Sequence, residues 1–209
     1  VRERPILFKG PLVRAILDGT KTQTRRLCKP DHFGGSEMPP DSAMARAIEF
    51  GGQKSPFGRP GDRLWVRETW QAWPVNVSEF DDSGPLSTES IRDRVPAHFE
   101  YQAGPTDSLG PWRPSIHMPR RASRIDLEIT EVRVQRLQDI TEEDARAECV
   151  DPMPGPVDVV DCGNGHGYFD PAPPARCVFE ELWDSINGAR APWERNPWVW
   201  AITFKRIRP

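Results

Sequence analysis

The sequence predicts an α+β fold: a small mixed β-barrel with short helices packed on it and long loops inserted between its elements. Three observations point there. Apolar and polar residues alternate over several segments, whereas helical spacing holds only over short ones. Strand-like and helix-like segments do not alternate regularly, as a doubly wound parallel sheet would require. Finally, 16 glycines and 23 prolines in 209 residues break the chain with loops, while eight tryptophans supply material for a core. The length suits a single domain over 1–209, with insertions at about 29–60, 71–118 and 151–174.

The elements follow in order. "PILF" (5–8) is a short apolar run suited to a buried strand. Pro11 can open a helix in which Leu12, Val13, Ile16 and Leu17 fall at helical spacing before Gly19 ends it. "TKTQTRRL" (20–27) alternates as a strand does, and 29–63 is mostly loop with a short helix around "DSAMARAIEF". "DRLWVRETW" (62–70) reads as one strand, with Leu64, Val66 and Glu68 on one face and Trp65, Arg67 and Thr69 on the other. Residues 71–118 show no clear period and read as an insertion. In "SRIDLEITEVRVQRL" (123–137) the alternation changes phase between Ile129 and Val132, which predicts a bulge or bend. "ITEEDARAECV" (140–150) is a short helix with Thr141 as N-cap and Asp144 three residues on. "ARCVFEELWDSING" (175–188) is amphipathic through Val178, Leu182 and Ile186, with Gly188 as its stop, and "NPWVWAITFKRI" (196–207) closes the chain as an apolar strand.

Charge and composition limit the function classes. A net charge of −3 and a pI near 5.9 argue against holding duplex nucleic acid mainly by neutralising phosphates. Cys28, Cys149, Cys162 and Cys177 stand far apart with no CxxC pair, which predicts reduced thiols in a cytoplasm rather than a zinc ribbon or a disulfide framework. The start "VRERPILFKG" lacks an apolar signal region, and no run approaches the ~18 residues of a membrane span. We therefore expect a cytoplasmic protein with no membrane partner. His98, His117 and His166 show no ligand spacing, and "GNGHG" (163–167) lacks the strand and helix of a phosphate loop, so neither a metal nor a cofactor is expected.

The densest chemistry lies in "LDGTKTQTRRL" (17–27). Spacing alone leaves two readings of Lys21, Thr22 and Thr24: a solvated turn before an edge strand, or a pocket. On a regular strand Lys21 and Thr24 would point to opposite faces, so they converge only if residues 20–22 turn before the strand begins. Thr22 and Thr24 share a face, which makes Thr22 a rival hydroxyl. Arg25 and Arg26 suit either phosphate binding or pairing with acids. Trp65 and Trp70 read as packing residues, and Glu68, on the face of Leu64 and Val66, needs a partner if it points inward.

"AILDGTKTQTRR" (15–26), "PGDRLWVRETW" (60–70) and the long strand running into "LQDITEEDARAEC" (137–149) together resemble the ASCH domain family, and "RPILFKGPLVRAILDGTKTQTRR" resembles its bacteriophage and prophage members. That resemblance implies a PUA-like barrel and a link to RNA binding or base modification. One bacterial branch hydrolyses N4-acetylcytidine with a lysine and a threonine of a G-x-K-T-x-T loop and a glutamate from a later helix. By motif these fall on Lys21, Thr24 and Glu148, with Thr22, Arg25, Arg26, Arg67 and Glu68 as substrate-binding candidates. Whether Glu148 or Glu68 is the pocket carboxylate stays open.

Amide hydrolysis needs a nucleophile, a proton acceptor and donors for the oxyanion. Lysine serves as a base once burial or a cationic neighbour favours its neutral form, whereas a glutamate beside it favours the ammonium. Lys21 as base and Glu148 as orienting group or acid is one division of labour. The function implied is an amidohydrolase acting on an N4-acylcytidine-type nucleoside or nucleobase. The alternative is a non-catalytic module that binds RNA or another single-stranded or modified nucleic acid.

Overall fold

The computed structural model describes residues 1–34, 38–44, 55–74, 86, 90–91, 97–105, 111–148 and 174–207. Along the chain come β1 (Glu3–Leu7), α1 (Gly10–Asp18), β2 (Gln23–Leu27), β3 (Arg63–Arg67), β4 (Trp70–Pro74), β5 (Ala97–Tyr101), β6 (Asp126–Arg136), α2 (Glu142–Ala147), α3 (Ala175–Asn187) and β7 (Trp198–Arg206). The fold is α+β. The chain divides into two compact units, one of Val1–Gly19, Gly61–Glu128 and Lys205–Pro209, the other of Thr20–Pro60 and Ile129–Phe204.

In the first unit β1 lies parallel to β3, from Glu3 opposite Arg63 to Leu7 opposite Arg67. The start of β6 runs antiparallel to β3, with Leu64 opposite Leu127. The stretch 62–70 is two strands rather than one. The ladder of β3 ends at Arg67: the next N–H, that of Glu68, donates to Met118 Sδ at 3.4 Å, and the buried Glu68 carboxylate takes Nε and Nη2 of Arg124 at 3.0 and 2.9 Å. Part of the expected insertion 71–118 is ordered structure: β4 pairs antiparallel with β5, and Trp70, Ala72, Ile91, Met118 and Ala122 form a buried cluster. Tryptophan and phenylalanine carry this small sheet, and they obscured its period because both faces hold large residues.

In the second unit β7 lies between β6 and β2, with β2 antiparallel from Gln23 opposite Thr203 to Leu27 opposite Val199. β6 is continuous, and its buried residues shift from Leu127 and Ile129 to Val134, an odd spacing that matches the expected change of phase. Leu137, Ile140, Ala145, Phe179, Trp183, Trp193 and Val199 form the core of this unit. On α3 the buried stripe centres on Phe179 and Trp183. Val178 and Leu182 flank it, and Ile186 is exposed. Gly188 ends α3 with right-handed backbone, and its requirement is space: a Cβ there would meet the Asp184 carbonyl at 2.6 Å.

β1 pairs with β3 and β2 with β7, and neither has a second strand partner among the described residues, so closure into a barrel is not part of the described pairing. Among the described residues of 29–60 there is one short 3-10 turn, Pro30–Phe33, and there are helical residues at 41–44. The insertion read at 151–174 lies, except for Pro174, outside the described residues. The expectation of reduced thiols fails at Cys177, which is disulfide-bonded. Cys28 is free, and burial pushes its thiol up to about 12. Among the described residues no helix is long and apolar enough to cross a membrane.

Candidate functional site

Gly19 places the opening segment. Its φ of 80° lies in the left-handed region that glycine adopts without a steric cost, and its N–H donates to the Ile16 carbonyl to close α1. Residues 20–22 then run outside any strand until β2 starts at Gln23, as convergence on a pocket would require. The backbone of Thr22 is held on both sides: its N–H donates to Ala147 O at 2.9 Å, and its carbonyl accepts from Phe204 N at 2.9 Å.

That strap carries the Lys21 side chain to the C-terminal end of α2. Lys21 Nζ donates to Gln23 O at 2.7 Å, to Glu148 O at 2.8 Å and to Glu148 Oε2 at 2.7 Å. Three acceptors match the three N–H bonds of an ammonium, so this arrangement holds the charged form. A lysine bonded to the last carbonyl of a helix also satisfies a group the helix leaves open. The carboxylate that Lys21 meets is thus Glu148.

Gln23 and Arg25 alternate onto the same side of β2 and join the network. Arg25 Nη1 donates to Gln23 Oε1 at 2.6 Å and Glu148 Oε1 at 3.1 Å, and Nη2 donates to Asp144 Oδ2 at 2.8 Å. Its guanidinium lies 5.6 Å from the centre of the Phe179 ring. Gln23 Nε2 donates to Asp144 Oδ1 at 3.0 Å and to Thr203 Oγ1 at 3.3 Å. Arg133 on β6 also binds Asp144, and its Nε donates to Gln135 Oε1 at 2.8 Å. Lys21, Arg25 and Glu148 are each no more than 3% exposed, so these charges interact with little screening by water. Burial pushes the Asp144 carboxyl up, but hydrogen bonds from Gln23 and Arg133 and the charges of Arg25 and Arg133 outweigh it and hold it below its ordinary value. Two buried donors beside these contacts, Arg25 Nε and Gln135 Nε2, have no hydrogen-bond partner among the described residues.

Thr24 is 1% exposed, and its Oγ1 accepts from Arg26 Nη1 at 2.9 Å. Arg26 is half-buried. Burial lowers its guanidinium, and the charge of Glu148 partly opposes the shift, so Arg26 senses the same carboxylate as Lys21. Thr22 is exposed. Arg67 and Glu68 belong to the first unit: Glu68 pairs with Arg124, and Arg67 lies over the Trp65 ring at 4.7 Å and donates to Ile116 O at 3.3 Å. Among the described residues no group of three or more His, Cys, Asp and Glu side chains could hold a metal ion.

Gln23, Arg133 and Asp144 were not anticipated in the site. Asp144 reads as a cap partner, and its N–H does donate to Thr141 Oγ1 at 3.1 Å. Its carboxylate, however, is directed to β2 and β6. The available signal was its spacing of four from Glu148, which places two carboxylates on one helix face.

No family model matches the chain, and no curated protein matches it. Among solved structures the chain is similar to the ASCH domain from Lactobacillus crispatus JV V101, with 11% identity and a TM-score of 0.43 over 100% of this chain and 81% of that one. A likeness of that extent carries no inference about activity.

Proposed function

We propose that this protein hydrolyses an acyl amide on a modified pyrimidine nucleoside or base, most concretely N4-acetylcytidine. The observation that carries the reading is the buried contact of Lys21 Nζ with Glu148, two residues far apart in sequence that the motif resemblance had paired. In the proposed reaction Glu148 accepts a proton from the Lys21 ammonium across 2.7 Å. The neutral amine then takes the Thr24 proton, relayed by a water from the Arg26 side of β2, as Oγ attacks the acyl carbonyl. The C–N bond breaks, and the exocyclic amine leaves with the proton carried by Lys21. Water next attacks the threonine ester, releasing the carboxylic acid and restoring the hydroxyl. Arg26, already donating to Thr24 Oγ1, stabilises the developing alkoxide. Thr22 and Arg26 are the substrate-binding candidates of this unit that are not fully buried.

The test is release of cytidine and acetate from N4-acetylcytidine by the purified protein. Lys21→Ala should lower the rate about a hundredfold or more. The reading fails if no acylated nucleoside is cleaved, or if Lys21→Ala matches the wild type on all of them.

A second reading is favoured by one observation: all three N–H bonds of Lys21 are filled, as suits a group that holds charge rather than moves a proton. Under it the protein binds RNA or modified nucleic acid without turnover. Affinity would then fall with salt and weaken on substitution of Arg25, Arg26, Arg120 or Arg121.

A further inference from the structure

Arg25 divides one guanidinium between two carboxylates. Nη1 reaches Glu148 Oε1 while Lys21 holds Oε2 of the same group, and Nη2 reaches Asp144. Glu148 therefore has a cation on each oxygen, and one of those cations is itself shared. Asp144 is also bound by Arg133 and Gln23, so its position is fixed from β2 and β6 at once. The Arg25 side chain is fully buried, and that of Asp144 is 17% exposed. Neither residue belongs to the Lys-Thr-Glu set.

We propose that Arg25 and Asp144 act as a positioning pair that sets where the proton rests between Lys21 and Glu148; the effect on rate rests on the hydrolase reading above, the electrostatic effect does not. The positive charge of Arg25, 3.1 Å from Glu148 Oε1, opposes transfer of the Lys21 proton to that carboxylate. Asp144 draws part of the Arg25 charge away and relaxes that opposition. The two residues thus act on the Lys21–Glu148 pair with opposite sign. The charged groups around the pair are Arg25 and Arg26 from β2, Asp144 from α2, and Arg133 and Glu131 from β6; α3 contributes the uncharged Phe179 and β7 the uncharged Thr203. A packing role alone would make loss of either residue loosen the site in the same way. A charge role makes the two losses diverge.

The experiment compares wild type, Asp144→Asn and Arg25→Gln in the full chain. One arm measures the pH–rate profile on N4-acetylcytidine, and the other titrates Lys21 Nζ by nitrogen-15 NMR without substrate. Removing the negative charge of Asp144 should move the titration of the pair down by about one pH unit, and removing the positive charge of Arg25 should move it up by about the same amount. Where Asp144→Asn does not fold, Glu131→Gln replaces it, which also removes a negative charge beside Arg133 and should give a smaller downward shift; where Arg25→Gln does not fold, Arg133→Gln replaces it. The Arg133 side chain is 35% exposed, and its loss should give a smaller upward shift. Shifts in the same direction, or titration at the wild-type pH in every variant, overturn the proposal. If the wild type cleaves nothing, the hydrolase reading falls while the NMR arm still decides the positioning pair.

Discussion

Glu148 gathers more buried charge than any other residue of the site, accepting from Lys21 and Arg25 while 3% exposed. Removing it leaves two cations with little access to water, which is the costly way to disturb a buried ion network. Glu148→Ala should therefore destabilise the protein by about 3 kcal/mol in urea unfolding, whatever it does to activity. A change below 1 kcal/mol would mean that the cations find other partners. His32 offers a second test at this scale. Its Nδ1 accepts from Trp200 Nε1 at 3.1 Å and from Lys29 N at 3.2 Å, so it must be unprotonated. Burial holds the imidazole below its ordinary 6.5, with Asp31 opposing and Lys29 reinforcing the shift. With the folded pKa lowered, the unfolded chain binds the proton first as pH falls. His32 thus costs no stability above about pH 6.5, and a growing amount below it. Thermal unfolding followed by tryptophan fluorescence should show that loss between about pH 6.5 and 5. His32→Asn, which keeps an acceptor and cannot titrate, should remove it; an unchanged pH slope in that variant would contradict the assignment.

Among the elements, α1 and α2 depend on their ends. Gly19 at φ 80° releases the chain from α1 into the segment that carries Lys21, and alanine there would force a side chain into left-handed backbone. Nothing stands within 4 Å of the added Cβ, so the cost is conformational, about 1 kcal/mol. Gly19→Ala should lower the free energy of unfolding in urea by that amount and reduce activity further if it turns Lys21 away from Glu148. At α2, Thr141→Ala removes the acceptor for the Asp144 N–H. We expect a loss of about 1 kcal/mol, and the same variant should loosen Asp144 on Arg25 and Arg133. The helix has only six residues, so it has little cooperativity of its own and depends on that cap. Glu142 adds a further tie, accepting from the N–H groups of Ala175 and Arg176 where α3 begins.

For the whole molecule, the net charge of −3 sets an expectation for polyanions. Non-specific binding of single-stranded RNA should be weak at physiological salt, with a shallow dependence of affinity on salt, because few phosphates can be neutralised. Fluorescence anisotropy at two salt concentrations measures this, and tight, steeply salt-dependent binding would favour the binding module over the hydrolase. Legible along the chain are the α+β class, both ends of α1, the capped start of α2 and the long β6 with its change of face. Those features are local: a proline, a glycine, a capping threonine or a period of two acts within a few residues of itself. Motif resemblance rather than spacing also paired Lys21 with Glu148. Folding alone turns the Asp144 carboxylate to Arg25 and Arg133, brings Glu68 to Arg124 and pairs β4 with β5. Each of those depends on a partner distant in sequence. The energy of a buried charge is set by which group folding brings to its other side, and pattern along the chain carries no record of that distance.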